Sequence, residues 1–140
     1  MAQFHVEGLD GLEDFFGNIA AIPDKVIDKM LNAEADVSVI AQKRTTASMW
    51  SGPYSTGVSS NSIKKGRPKK TKDGRVVSIT FKGSRTRANT TTSNAEIAFV
   101  QEFGKRGQDA RPAIKTANEG CADEAVEAAG VVFDEFLNSF

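Results

Sequence analysis

The sequence has few of the residues from which catalytic and metal sites are most often built. Its 140 residues include one cysteine, Cys121, and one histidine, His5. A single cysteine excludes an internal disulfide, and a single histidine excludes a metal site made of several histidines from this chain. His5 has no nucleophile near it in sequence, and Cys121 falls on the apolar stripe of a helical pattern, where a buried thiol is expected. We therefore expect no catalytic residue, no metal ligand and no cofactor.

Long apolar runs and nucleotide-binding glycine motifs are also lacking. No run approaches the ~20 apolar residues that cross a bilayer, and the first residues lack the basic-then-apolar order of a signal peptide. Neither GxxxxGK[ST] nor GxGxxG occurs. A chain of this length buries roughly 70% of its unfolded surface, which suits one domain over residues 1–140. We expect a soluble, non-enzymatic domain made in the cytoplasm, with no membrane partner.

Charge is balanced overall but strongly segregated along the chain. Residues 1–42 contain eight acids and two lysines, residues 43–87 contain twelve Lys or Arg and one Asp, and residues 88–140 contain nine acids and four bases. A basic middle between acidic ends suits a subunit that meets an acidic neighbour, which is either another copy of itself or a polyanion. Charge alone does not separate these two partners.

Two long amphipathic helices are predicted from apolar residues that recur every three to four positions. The first begins at the Pro23-Asp24 helix-start signal and runs to about Ala47, and the second begins after Arg111-Pro112. The apolar positions of the first are Val26, Ile27, Met30, Leu31, Val37, Ile40 and Ala41. Those of the second are Ile114, Ala117, Cys121, Ala125, Ala128, Val132, Phe136 and Phe140.

The region between the helices predicts strands and loops. Residues 58–64 suit a strand or a short helix, and residues 75–82 alternate apolar and polar side chains as a strand does. Residues 64–75 predict a basic, mobile loop that ends in the Asp73-Gly74 hairpin signal, and residues 83–94 predict a second polar loop. The expected fold class is α+β, with two long amphipathic helices packed on a small, mainly antiparallel sheet and two long polar loops.

The basic loop is a candidate contact for DNA or for an acidic partner. Its Gly66-Arg67-Pro68 core resembles the minor-groove AT-hook, although Lys65 stands where that motif has an arginine. A solvated loop and an arm that forms salt bridges with an acidic neighbour remain open alternatives. The candidate contact residues are Lys64, Lys65, Arg67, Lys69, Lys70, Lys72 and Arg75.

The most distinctive stretch is residues 95–112, which joins an apolar-aromatic segment to a glycine and then to the start of the second long helix. Glu102 directly precedes Phe103 and Gly104, an order that suits a sheet edge or a helix end that meets a partner. The secondary structure of residues 95–103 stays open at this point. The pattern indicates assembly and not catalysis.

Four features in order resemble the tail-component family of long-tailed phages, the small neck or tail-completion proteins encoded between the head-closure and major tail genes. They are FHVEGLDGL, the long first helix, PYSTGVSSNSIKK, and IAFVQEFG followed by ARPAIKTA. The matching residues are Gly8, Leu9, Asp10, Leu12, Pro53, Thr56, Gly57, Ser62, Ile63, Ala98, Val100, Glu102, Phe103, Gly104, Arg111 and Pro112.

The resemblance implies a structural virion protein that forms a ring at the head-tail junction, through which DNA passes. The implied partners are copies of itself in a cyclic hexamer or dodecamer and the head-closure or connector, tail-terminator or tail-tube proteins. A small DNA-binding protein that uses residues 64–75 is the alternative. The implied assembly-interface residues are Glu102, Phe103, Gly104, Arg111, Pro112, Pro53, Thr56 and Gly57.

Overall fold

A computed structural model describes residues 22–52 and 57–139. Pro53, Thr56 and the N-terminal part of the family resemblance lie outside the described residues, as does His5. The helices are α1 (Asp24–Met49), α2 (Val58–Asn61), α3 (Asn94–Phe103) and α4 (Ala113–Leu137). The strands are β1 (Ile63–Lys65), β2 (Lys69–Thr71), β3 (Gly74–Val76), β4 (Ile79–Phe81), β5 (Ser84–Arg87) and β6 (Thr90–Ser93).

Helices α1 and α4 pack along each other and form the largest contact of the fold. The α1 start follows from Pro23, whose ring fixes φ at −63°, and from Asp24 in the first turn, where the helix dipole favours an acid. The buried positions of α4 recur every four residues and are all small: Ala113, Ala117, Cys121, Ala125 and Ala129. Side chains of this size let two helix backbones approach closely. Both predicted long helices are confirmed.

The seam between α1 and α4 is apolar at its centre and polar beside it. Ala41 packs against Ala117 and Cys121, with Val37 alongside. Next to this cluster, Gln42 Nε2 donates a hydrogen bond to Asn118 Oδ1 at 2.9 Å. The cysteine is thus a small buried core residue, as its place on the apolar stripe predicted.

Residues 62–82, called here the ribbon, form one long antiparallel hairpin with a break in the middle. Strand β1 pairs with β4 and β2 with β3. Backbone bonds from Lys82 N–H to Ser62 O (2.8 Å) and from Gly66 N–H to Ser78 O (2.7 Å) continue the ladder beyond the paired strands. The prediction of a loop over residues 64–75 is therefore wrong, because a turn at Lys72 and Asp73 closes a hairpin over most of this range. The strand predicted over residues 75–82 is split into β3 and β4.

Residues 84–93 form a second hairpin where a polar loop was predicted, so that prediction is also wrong. Its turn has φ of +50° at Ala88 and +38° at Asn89, the positive pair that two-residue hairpin turns require. The hydroxyls of Thr86 and Thr91 lie 2.9 Å apart across the strands. Turn geometry and backbone pairing, without any apolar side chain, define this hairpin.

Helix α3 settles the conformation that the sequence left open for residues 95–103. Ser93 caps its start, accepting a hydrogen bond from the Glu96 N–H at 3.1 Å. Beneath α3, Trp50 packs with Ala98 and Ala113, and its ring stacks on Phe81 with the ring centroids 5.8 Å apart. This second apolar cluster joins the end of α1, the ribbon, α3 and the start of α4.

The architecture is α+β, with long helices packed on small antiparallel sheets, and the predicted fold class is confirmed. In the described part of the chain each sheet has two strands, where one common sheet was expected. Within those same residues, no helix has both the length and the apolar character needed to cross a membrane.

Candidate assembly interface

Glu102 caps the N-terminus of α4 from the side. Its Oε2 accepts the Ile114 N–H at 2.8 Å and its Oε1 accepts the Lys115 N–H at 2.9 Å. Pro112, which precedes the helix and is exposed, provides no side-chain cap, so the carboxylate serves two N–H groups that would otherwise lack partners. The helix dipole adds to the attraction. Glu102 is 8% exposed, and its two oxygens are engaged within the chain.

Arg111 joins the same junction to the end of α1. Its Nη1 donates to the Met49 carbonyl at 3.1 Å, and its Nε donates to Gln101 Oε1 at 3.1 Å. Its Nη2 also donates to Gln101 Oε1. In return, the Arg111 carbonyl accepts the Trp50 Nε1–H at 2.8 Å. A residue predicted at an intermolecular interface thus binds α1 and α3 of its own chain.

Gly104 ends α3 in a conformation that favours glycine. Its φ is +76°, and a Cβ at this position would lie 2.8 Å from both the Ala110 nitrogen and the Gln108 oxygen. The backbone of the turn that leads back to α4 therefore passes close to this glycine, where a side chain would not fit. That turn is closed by paired backbone hydrogen bonds between Lys105 and Gln108.

Phe103 differs from its neighbours because its side chain faces solvent. It is 67% exposed, and Phe99, one helical turn earlier, is 62% exposed. Their ring centroids lie 4.8 Å apart at an interplanar angle of 50°. The two rings, called here the aromatic patch, border a groove of about 550 Å³ between α3 and α4 whose floor includes Phe81, Ala98 and Ile114.

Gly57 lies on another side of α3, exposed at the start of α2 with φ of +74°. It borders a more polar cleft of about 600 Å³ that Thr46, Gln101 and Arg111 also line. Of the predicted interface residues within the described ranges, the structure gathers Glu102, Phe103, Gly104, Arg111 and Pro112 around one junction. Phe103 is the one that presents a large apolar side chain outward.

Two of the seven predicted basic contact residues are paired with acids of α1. Lys65 Nζ lies 2.6 Å from Asp36 Oδ1. Arg75 donates from Nη2 to Asp28 Oδ2 at 2.8 Å and from Nε to Asp28 Oδ1, and its Nη1 lies 3.6 Å from Asp24 Oδ2. The hydrogen bond to Asp28 raises the pKa of Arg75 above its usual value. The acids that pair with these two cations therefore belong to α1 of the same chain. The two ion pairs hold the ribbon against α1.

The other five predicted contact residues are exposed and make no ion pair with a described residue. They are Lys64, Arg67, Lys69, Lys70 and Lys72. Strand pairing places Lys64 opposite Thr80 and Lys69 opposite Val76, on the ribbon face away from the anchoring pairs. This face remains available to a partner.

The sequence interpretation did not include Phe99 among the interface residues. A signal for it was present: Ser93 and Glu96 have the spacing of a helix start, and a helix from there places Phe99 and Phe103 on one face. The roles of Glu102 and Arg111 lacked such a signal, because both depend on contacts with other elements.

Within the described ranges, no group of three His, Cys, Asp or Glu side chains is placed to hold a metal ion. Comparison with known proteins gives no further guidance on the site: no protein-family profile, curated protein or solved structure matches this chain.

Proposed function

We propose that this protein is a structural component of a long-tailed phage particle, a tail-completion or neck subunit that forms a ring at the head-tail junction and helps to join tail to head. The observation that carries the assembly role is the aromatic patch of Phe99 and Phe103 beside its apolar groove. The resemblance of the sequence to the phage tail-component family supports the place of assembly.

The aromatic patch has the properties of a protein-binding surface. Two adjacent phenyl rings are each more than 60% exposed, although a quarter of the chain is charged and could cover such a surface. Fully burying one such side chain contributes about 1.5–3 kcal/mol, and buried aromatic anchors often dominate interfaces. A neighbouring subunit that covers both rings would therefore gain binding free energy from a small area.

The patch is also held rigidly. The Ser93 cap fixes the start of α3, and Glu102, between the two rings in sequence, fixes the end of α3 against α4. Little conformational freedom would then be lost when a partner binds, which favours tight association. Copies of the chain in a cyclic hexamer or dodecamer, together with head-closure or connector, tail-terminator or tail-tube proteins, are the proposed neighbours around the DNA path.

The test replaces Phe103 in the producing phage. Phe103→Asp places a charge in the patch and should leave heads filled with DNA but lacking joined tails, whereas Phe103→Leu keeps the apolar surface and should preserve tailed particles. Negative-stain microscopy and plaque counts measure both. Antibody against this chain, detected with gold, should label the head-tail junction of wild-type particles. If Phe103→Asp particles have normal tails and are infectious, the proposal is wrong.

DNA binding through the ribbon is the second candidate, and the five exposed cations favour it. Contacts to as many as five phosphates would give a slope of log affinity against log salt of about −4.5. Replacing Lys69, Lys70 and Lys72 with glutamine should reduce both the affinity for duplex DNA and this slope. If neither changes in a fluorescence-anisotropy titration, the DNA-binding candidate should be dropped.

A further inference from the structure

The outer side of α4 carries a row of acidic side chains four residues apart. Because the buried residues of α4 recur every four positions from Ala113 to Ala129, the positions two residues further along point to the opposite side of α4. Lys115 occupies the first of those positions, Glu119, Asp123 and Glu127 occupy the next three, and all four are exposed. The acidic row, called here the acidic stripe, continues through exposed Val131 to Glu135.

The acidic stripe is electrostatically unfavourable in the isolated chain. Like charges four residues apart on a helix repel each other, and the last turn of α4 has no basic residue to offset the negative end of its dipole. None of the stripe carboxylates forms an ion pair with a described residue. A cationic surface from another molecule would remove this repulsion.

The ribbon has the complementary charge but cannot reach the stripe of its own chain. Lys65 and Arg75 hold the ribbon on α1, while the stripe faces away from α1. The outward face of the ribbon carries Lys64 and Lys69, Lys72 lies at its turn, and Asp73 is the one acid within residues 62–82. Each copy of the chain therefore presents a basic surface and an acidic surface in different directions.

The two surfaces also have similar lengths. Glu119 to Glu135 spans about 24 Å at 1.5 Å per helical residue. Lys64 to Lys72 spans at most about 26 Å at 3.3 Å per strand residue. A ribbon laid along α4 could therefore place several cations near successive stripe carboxylates.

We propose that the ribbon of one copy binds the acidic stripe of α4 in the next copy. The contact is head-to-tail, and its repetition closes a ring when the rotation between neighbouring copies divides a full turn. This inference rests on the proposed function in that it specifies one contact between ring neighbours. Lys64, Lys69 and Lys72 of one subunit lie along the stripe of the other between Glu119 and Glu135, and the anchoring pairs of Lys65 and Arg75 stay intact within each chain.

Charge reversal of each surface tests the contact. The ribbon variant carries Lys64→Glu, Lys69→Glu and Lys72→Glu. The stripe variant carries Glu119→Lys, Asp123→Lys and Glu127→Lys. A matched control reverses three exposed cations outside the ribbon and α4: Arg87→Glu, Lys105→Glu and Arg106→Glu. Circular dichroism confirms that all four proteins are folded, and light scattering after size exclusion gives their masses.

At about 50 mM salt, the wild type and the control should be oligomers, and each reversed variant should be a 15.0 kDa monomer. An equimolar mixture of the two reversed variants should recover the oligomer, because the acidic ribbon of one variant now complements the basic stripe of the other. At about 1 M salt, where screening acts over about 3 Å, wild-type association should be lost. Monomeric wild type at low salt, oligomeric reversed variants, or a mixture that stays monomeric would each overturn the contact.

Three further outcomes distinguish this inference from the DNA-binding candidate and from the proposed neck function. If wild-type protein stays monomeric and the ribbon variant loses duplex DNA retention that the control keeps, the ribbon serves nucleic acid and the self-contact is wrong. If gold labels the head-tail junction but charge reversal leaves association intact, the proposed function stands and the contact fails. If complementary variants associate as expected but particles carry no gold, the contact stands and the neck function fails.

Discussion

Replacing Glu102 should destabilise the fold more than replacing Glu96, the other acidic residue of α3. Glu102→Ala leaves the Ile114 and Lys115 N–H groups without their acceptors in the first turn of α4. Loss of a helix cap costs about 0.5–2 kcal/mol, and each hydrogen bond to a charged group contributes about 1.5–3 kcal/mol. Because these contributions overlap, we expect a loss of about 2–4 kcal/mol in the free energy of unfolding.

Two variants make the measurement specific to the cap. Glu102→Gln keeps one carbonyl oxygen but removes the charge, so its loss should be about half that of Glu102→Ala. Glu96→Gln removes an exposed acid from the first turn of the same helix and should change stability by no more than about 0.5 kcal/mol.

Urea unfolding followed by circular dichroism gives the free energies, and thermal melting should show a Tm lower by about 6–15 °C for Glu102→Ala. The far-ultraviolet spectrum at low temperature checks that α4 still forms. If Glu102→Ala unfolds at the same urea concentration as Glu96→Gln, the carboxylate is not an effective cap and the account of the junction is wrong.

Two other predictions concern backbone conformation. Gly104→Ala should lower the free energy of unfolding by at least about 1–3 kcal/mol, because φ is positive there and the new Cβ would meet two backbone atoms at 2.8 Å; a urea midpoint equal to wild type would contradict this. Ala88→Gly should raise the free energy of unfolding by up to about 1 kcal/mol, because relief of about 1–2 kcal/mol of left-handed strain at φ of +50° exceeds the entropic cost of glycine, about 0.5–1 kcal/mol; a lower Tm would show that the turn is not as described.

The parts of the fold that follow local periodicity could be predicted from the sequence. Both long helices have apolar residues every three to four positions and a proline at or just before the start, and both form as expected. The two hairpins were mistaken for loops because their strands carry Lys, Arg, Thr and Ser instead of an apolar alternation. Their pairing depends on turn geometry and on anchoring to α1 and α3, which composition does not reveal.

The junction around α3 shows why the site was predicted only in part. The sequence identified Glu102, Phe103, Gly104 and Arg111 as a group, and the structure does bring them together. Their separate roles depend on contacts across 10 to 62 residues of sequence, such as Glu102 with Ile114 and Arg111 with Met49. Such contacts form only in the folded chain. The sequence therefore does not show that Glu102 caps a helix of its own chain while Phe103 is exposed to a partner.

The small side chains between α1 and α4 have a consequence for the free subunit. Each alanine buries one methyl group and loses no side-chain entropy. The contact between α1 and α4 therefore fixes the distance between the helices but contributes little hydrophobic stabilisation per residue. We therefore expect a subunit whose shape is well defined but whose free energy of unfolding is modest. Binding that selects the folded form stabilises it by mass action, so incorporation into an assembly would protect the chain from unfolding and proteolysis.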